Sequence, residues 1–120
     1  MKSFAIIGCG RFGSSVATTL SELGNEVLAV DADHEKVNAI VDEVTTALQV
    51  DILEEGVIDA LGLRNFDVAV IAIGSDLEAS VMATLLAVEA NVPMIIAKAK
   101  SSRQGKLLEK VGAHKIIYPE

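Results

Sequence analysis

Residues 8 to 13 read Gly-Cys-Gly-Arg-Phe-Gly. Three glycines at this G-x-G-x-x-G spacing suit one task, the close approach of a backbone to a pyrophosphate. Gly8 permits a tight turn, Gly10 lets the chain approach the phosphates, and Gly13 lets the following helix pack closely on the preceding strand. A ligand there meets the free N–H groups and the positive dipole end of a helix. Asp31 stands twenty-three residues after Gly8 and closes the apolar run Val27-Leu28-Ala29-Val30. A carboxylate at that place accepts hydrogen bonds from both ribose hydroxyls of an adenosine and repels a 2′-phosphate. No arginine occurs in Asp31-Ala32-Asp33-His34, so NADP is disfavoured against NAD(H), ADP or ATP. Cys9, Phe12 and Ala32 complete the set of binding residues expected on this side.

Further residues converge on the same ligand from other runs. Val50-Asp51-Ile52 ends the third apolar run, where the Asp51 carboxylate reaches an adenine amino group and Ile52 lies against the ring; a helix-capping role for Asp51 competes evenly. Ile73 and Gly74 end the fourth run, and Gly74 lets the backbone pass beneath ribose or phosphate. Lys98 closes Ile95-Ile96-Ala97 and brings an ammonium to the ligand-bearing end of the sheet, where a phosphate or carboxylate partner competes with a solvated strand end. Arg11 is the unusual residue, a guanidinium inside the phosphate loop, suited to a terminal phosphate; a solvated loop residue or a partner of Asp33 is the alternative. Asp33 reads as the N-cap of a helix and His34 as its exposed first residue.

These residues need a scaffold, and the chain supplies a regular one. Strands are predicted at about 3–8, 26–31, 45–50, 67–73, 93–98 and 115–118, and helices at about 12–23, 34–43, 54–61, 76–90 and 102–111. Right-handed crossovers wind this alternation into an α/β fold of Rossmann type, a doubly wound parallel sheet in the order 3-2-1-4-5-6 with helices on both faces. Ser75 with Glu78 and Ser101 with Gln104 have capping-box spacing, Asp51 with Glu54 is a looser version, and Gly24, Gly62 and Gly112 mark helix ends. The helix over 76–90 carries Leu77, Val81, Met82, Leu85, Leu86 and Val88, a stripe expected to cover the sheet and leave apolar surface for a subunit contact.

Composition narrows the function. A chain of 120 residues encloses one core, residues 1–120 as a single nucleotide-binding domain, and its end at Tyr118-Pro119-Glu120 directly after the last strand reads as a cut before a further domain. No apolar run is long enough to span a bilayer and no signal peptide opens the chain, which places it in the cytoplasm. Cys9 is the lone cysteine, so an internal disulfide is excluded. The net charge of −7 argues against nucleic acid as a partner. Residues 1–97 hold four basic and fifteen acidic side chains, whereas residues 98–120 hold six basic and two acidic, a basic edge on an acidic body. There is no Ser-His-Asp set, no His pair at metal spacing and no second half to hold a substrate against a nicotinamide, so the chain is not read as an enzyme.

The whole chain resembles the regulator-of-potassium-conductance N-terminal domain, and is most similar to Ktr-type potassium-uptake regulatory subunits. The likeness is carried by Gly8-Cys9-Gly10-Arg11-Phe12-Gly13, Glu26 to Asp31, Leu63-Arg64-Asn65-Phe66-Asp67, Val70 to Gly74, Ala97-Lys98-Ala99, Leu107 to Ala113 and Pro119-Glu120. It implies a cytoplasmic module that assembles as dimers and often as an octameric ring on a membrane potassium translocation subunit, gating it as ATP, ADP or NAD(H) exchange. It further implies that Arg11 reads the terminal phosphates, Asp31 the ribose, Asp51 and Ile52 the adenine, and that Glu120 approaches a divalent cation held with the nucleotide. Two rivals stand beside it: the cofactor domain of an NAD-dependent dehydrogenase, and a nucleotide sensor of another transporter.

Overall fold

The computed structural model describes residues 1–119. Within them the order is β1 (Ser3–Ile7), α1 (Arg11–Glu22), β2 (Glu26–Asp31), α2 (His34–Ile40), β3 (Thr46–Gln49), α3 (Val57–Leu61), a 3₁₀ turn (Leu63–Asn65), β4 (Val68–Ile71), α4 (Leu77–Glu89), β5 (Met94–Lys98), α5 (Ser102–Val111) and β6 (Lys115–Ile117). The strands form one parallel sheet in the expected order β3-β2-β1-β4-β5-β6. β1 lies at its centre, with Phe4 opposite Val27 on one side and Val68 on the other. No helix of the described residues is long and apolar enough to cross a membrane.

Side chains alternate across the sheet with the strand period of two, and each face builds its own core. Ala5 and Ile7 of β1 join Ala83 and Ala87 of α4 and Leu108 of α5, with Val57 and Ile58 of α3 packed alongside. Ile6 joins Val27, Ala29, Ala17 of α1 and Ile40 of α2 on the opposite face, with Phe12, Val16 and Leu20 alongside. The lower ends of β1 and β4 are pinned by Asp67, whose carboxylate accepts from Ser3 N (2.8 Å) and Ser3 Oγ (3.1 Å). Those two bonds hold the Asp67 carboxyl below its ordinary value.

Several boundaries differ from the sequence expectation for local reasons. α3 is shorter than 54–61 and starts at Val57, because Gly56 takes a left-handed φ of +84° immediately before it. Asp51 caps no helix; its Oδ1 accepts from Leu53 N at 3.0 Å and closes a side-chain turn. α2 ends at Ile40, where Glu43 N bonds back to the Ile40 carbonyl. The cap of α4 is Asp76 in place of Ser75, with Ala79 N donating to Asp76 Oδ1 at 3.0 Å. Ser101 caps α5 as expected, but Gln104 Oε1 reaches back to Lys100 N at 3.1 Å, one residue before the capping-box target.

α4 departs most from expectation. Its inner face is made of small residues, Ser80, Ala83, Thr84 and Ala87, all buried, which lets the helix sit close to the sheet. Thr84 hides its hydroxyl by donating to Ser80 O at 2.8 Å. The large residues of the stripe stand to the sides or outward, with Met82 39% and Leu85 37% exposed. At the far edge, Tyr118 lies across α5, its hydroxyl occupying the space that a Cβ at Gly105 would need.

Gly13 shows how tightly the first turn is built. A Cβ there would overlap the Gly8 carbonyl oxygen and come within 3.1 Å of Ala72 Cβ. Backbone cannot swing aside as a flexible side chain can, so Gly13→Ala is expected to destabilise the chain by at least about 2 kcal/mol in chemical denaturation. A variant as stable as the parent would refute this packing.

Candidate functional site

β1 and β4 are neighbours, yet the chain leaves β1 toward one core and β4 toward the other, so their carboxyl ends part and open a cleft at the switch point. The cleft encloses about 460 Å³, within the ~300–1,000 Å³ common for small-molecule sites. Its walls include Gly8, Gly10, Arg11, Asp31, Ala32, Asp51, Ile52, Ile73, Gly74 and Lys98. Ten of the expected binding residues are thus gathered from the ends of five strands. Cys9, Phe12 and Gly13 do not line it. They face the α1 and α2 side, where Cys9 and Gly13 are buried and Phe12 packs on the core. Glu120, the expected cation contact, lies outside the described residues.

Each glycine of the loop has a separate geometric cause. Gly8 adopts φ +104°, and a Cβ on it would meet the Ala72 carbonyl carbon and oxygen at 2.7 Å. Gly10 has an ordinary φ of −72°, and no atom lies within 4 Å of where its Cβ would be. Only the open cleft requires its lack of a side chain. Gly10 is also the N-cap of α1 and brings no side-chain acceptor, leaving the first N–H groups of the helix for a ligand.

Asp31 holds the loop together. Its Oδ2 accepts from Cys9 N at 2.7 Å and its Oδ1 from Asp33 N at 2.8 Å. Each oxygen keeps a further acceptor position. The neighbouring Cys9 thiol is pushed up to about 12, first by burial and then by the Asp31 charge. Its Sγ donates to Val30 O at 3.4 Å, so it is a buried packing group and no nucleophile. Asp33 acts as the cap of α2, accepting from Glu35 N at 2.9 Å.

Two charged cleft residues were not foreseen from sequence, Lys36 and Asp76. Lys36 falls in the first turn of α2, three residues after the Asp33 cap, and residues three apart share a helix face. That spacing was the available signal. With it, the cleft carries Arg11, Lys36 and Lys98 against Asp31, Asp51 and Asp76. Lys98 is held below its ordinary value first by burial and then by the charges of Lys100 and Lys36. Its ammonium therefore costs the folded state stability below the lowered value, and a bound anion removes that cost.

A parallel sheet of this order, with a glycine turn on its switch point and an acid closing β2, defines a Rossmann-type domain. Within that class the chain belongs to the TrkA-N family, whose domain model matches residues 4–119. It is 46% identical to "Ktr system potassium uptake protein A" of Bacillus subtilis (strain 168) over 119 residues, which are 99% of this chain and 54% of the relative. The chain thus spans about half the length of the curated relatives it matches. Among solved structures it is similar to the NAD(P)-binding domain of an exopolyphosphatase-related protein from Archaeoglobus fulgidus, with a TM-score of 0.84, 24% identity, and 98% and 88% of the two chains covered. The GsuK channel also shares the fold, in its ADP-bound form (TM-score 0.82, 18% identity, covering 98% and 30%) and its NAD-bound form (0.82, 14%, covering 97% and 21%).

The contrast between Gly10 and Gly13 yields a clean test. Gly10→Ala is expected to leave the denaturation midpoint unchanged, since its methyl group meets nothing. Adenine nucleotide binding, followed by calorimetry, is expected to fall at least tenfold if a pyrophosphate crosses the loop at Gly10, because the methyl would stand in its path. Unchanged affinity would show that the ligand does not cross Gly10.

Proposed function

We propose that this chain is the nucleotide-sensing domain of a potassium-uptake regulator, binding ATP, ADP or NAD(H) in the switch-point cleft and carrying out no chemistry of its own. The observation that supports it most is the Asp31 carboxylate, which braces the glycine loop and keeps acceptor positions open beside a cationic wall. The resemblance to the Ktr relative supplies the context: a membrane potassium translocation subunit as partner, engaged from the cytoplasmic side. The shared fold of GsuK, solved with ADP and with NAD, supports an adenosine ligand without choosing its phosphate tail.

Arg11 makes that choice in this reading. It borders the cleft at the loop, where α1 amides already face a diphosphate, and its guanidinium suits a further phosphate. Arg11→Ala is expected to weaken ATP about ten- to a hundredfold, ADP less and NAD least, in isothermal titration. Equal losses for all three would remove the sensing role from Arg11. Because Asp31 also holds two backbone amides, Asp31→Asn is a better probe than Asp31→Ala, keeping one acceptor for the loop. It is expected to lower affinity for every adenosine ligand by about tenfold or more while the parent prefers NAD to NADP. NADP binding as tightly as NAD would contradict the assignment.

Assembly follows from α4. Its exposed Met82 and Leu85, on a helix whose inner face is already satisfied by small residues, form an apolar strip that a second copy covers. Light scattering is expected to find at least a dimer, and Met82→Lys with Leu85→Lys is expected to dissociate it. A strict monomer at high concentration, with and without nucleotide, would refute this contact.

A further inference from the structure

The basic stretch over residues 98–120 takes a definite place in the fold. Arg103, Lys106 and Lys110 belong to α5, and all three are exposed. At about 100° per residue they fall within an arc of about 60°, on the side of the helix away from Gly105 and Leu108, which are buried. Lys100 precedes the helix and Lys115 follows it, both exposed. Glu109 is the one carboxylate of α5, and it stands about 90° from the centre of the arc. Leu107, 41% exposed, borders the arc on one flank, and the exposed Tyr118, lying over Gly105, borders it on the other.

The acidity of the whole chain does not cancel this face. α5 packs on β5 and β6, at one edge of the sheet, whereas Asp42 and Glu43 lead into β3 at the other edge. Five strand spacings separate the two edges, about 24 Å, or about three Debye lengths at physiological ionic strength. α4, packed beside α5, brings Glu78 and Glu89, which with Glu109 make three carboxylates against the five exposed cations. The shape of the face narrows its partner. An acidic peptide is held in a groove, but the outward side of a single helix is convex and suits a flat layer of charges. The cytoplasmic leaflet of a membrane is such a layer, and it repels an acidic protein unless a cationic face is turned toward it. An apolar side chain and a tyrosine beside the cations fit the depth of the headgroups.

We infer that the outer face of α5 is a docking surface for anionic lipid headgroups, with Arg103, Lys106 and Lys110 as its contacts and Leu107 and Tyr118 at its margins. The inference rests on the proposed function for the membrane beneath which the chain works. It gives the domain a lipid contact of its own, separate from its contact with a translocation subunit, and it fixes which edge of the sheet turns toward the bilayer.

Co-sedimentation of the 120-residue chain with lipid vesicles tests this. Vesicles of phosphatidylcholine alone are compared with vesicles of phosphatidylcholine and phosphatidylglycerol in equal parts, at low and at physiological salt. The parent chain is expected to bind the mixed vesicles, to release them as salt is added and to ignore phosphatidylcholine alone. Lys106→Gln with Lys110→Gln is expected to lower partitioning about thirtyfold, at about fivefold for each cation near the surface. Lys2→Gln with Arg64→Gln removes the same charge from exposed positions elsewhere and is expected to leave partitioning nearly unchanged. Equal losses for the two pairs would trace the attraction to net charge and overturn the face. Failure of the parent to bind the mixed vesicles at low salt would overturn it as well. So would vesicle binding indifferent to phosphatidylglycerol together with dissociation of the dimer by Lys106→Gln and Lys110→Gln in light scattering, which would assign α5 to a second copy. Binding to the mixed vesicles by a chain that takes up no adenine nucleotide keeps the face and fails the cleft reading.

Discussion

One carboxylate ties together the parts that make a site here. Asp31 ends β2, yet its two oxygens hold an amide in the turn after β1 and another in the turn before α2. The bond to Cys9 N crosses between neighbouring strands and fixes the height of the glycine loop against the end of β2. The bond to Asp33 N sets the path by which the chain enters α2, and with it the position of Lys36 on the cleft wall. A single anionic group therefore positions two walls of the cleft. In the proposed function it also supplies the negative charge that a ribose hydroxyl would meet. The structural role of Asp31 coincides with the binding role proposed for it, which is why its replacement has to be read alongside a stability measurement.

The sheet order and most of the cleft were legible in the sequence because they depend on local signals of high contrast. Short apolar runs separated by amphipathic ones specify parallel strands and crossovers, and the hand of the crossover does the rest. The three glycines and the acid closing β2 carry their geometry in their residue types. Assignments within the loop were less legible: Cys9 and Phe12 sit in the same six residues as Gly8, Gly10 and Arg11 but turn toward the core under α1 and α2, and Gly13 packs against Gly8 and Ala72. A motif names a stretch of chain, and the direction of each side chain within it depends on a strand giving way to a helix at one particular residue.

Boundaries failed where two signals competed over one or two residues. Ser75 and Asp76 both make good caps, and only the true start of α4 at Leu77 selects Asp76. Asp51 reads as a cap by spacing, but Gly56 lets the chain turn once more before α3 begins. α4 was misjudged for a different reason. Its large apolar residues suggested the buried face, whereas parallel strands lined with Val and Ile leave little depth, and the helix approaches them through Ser80, Ala83, Thr84 and Ala87. Volume, invisible to hydropathy, decided which face went inward.

Tyr118 and Gly105 lie thirteen positions apart and fill a single volume, the hydroxyl end of one resting where a Cβ on the other would stand. A larger residue at position 105 would require the aromatic side chain at 118 to shrink or to swing away from α5. Relatives that have changed one member of the pair should therefore have changed the other, and a chimera that joins α5 from one relative to β6 from another inherits a steric mismatch at this seam even when both parents fold well.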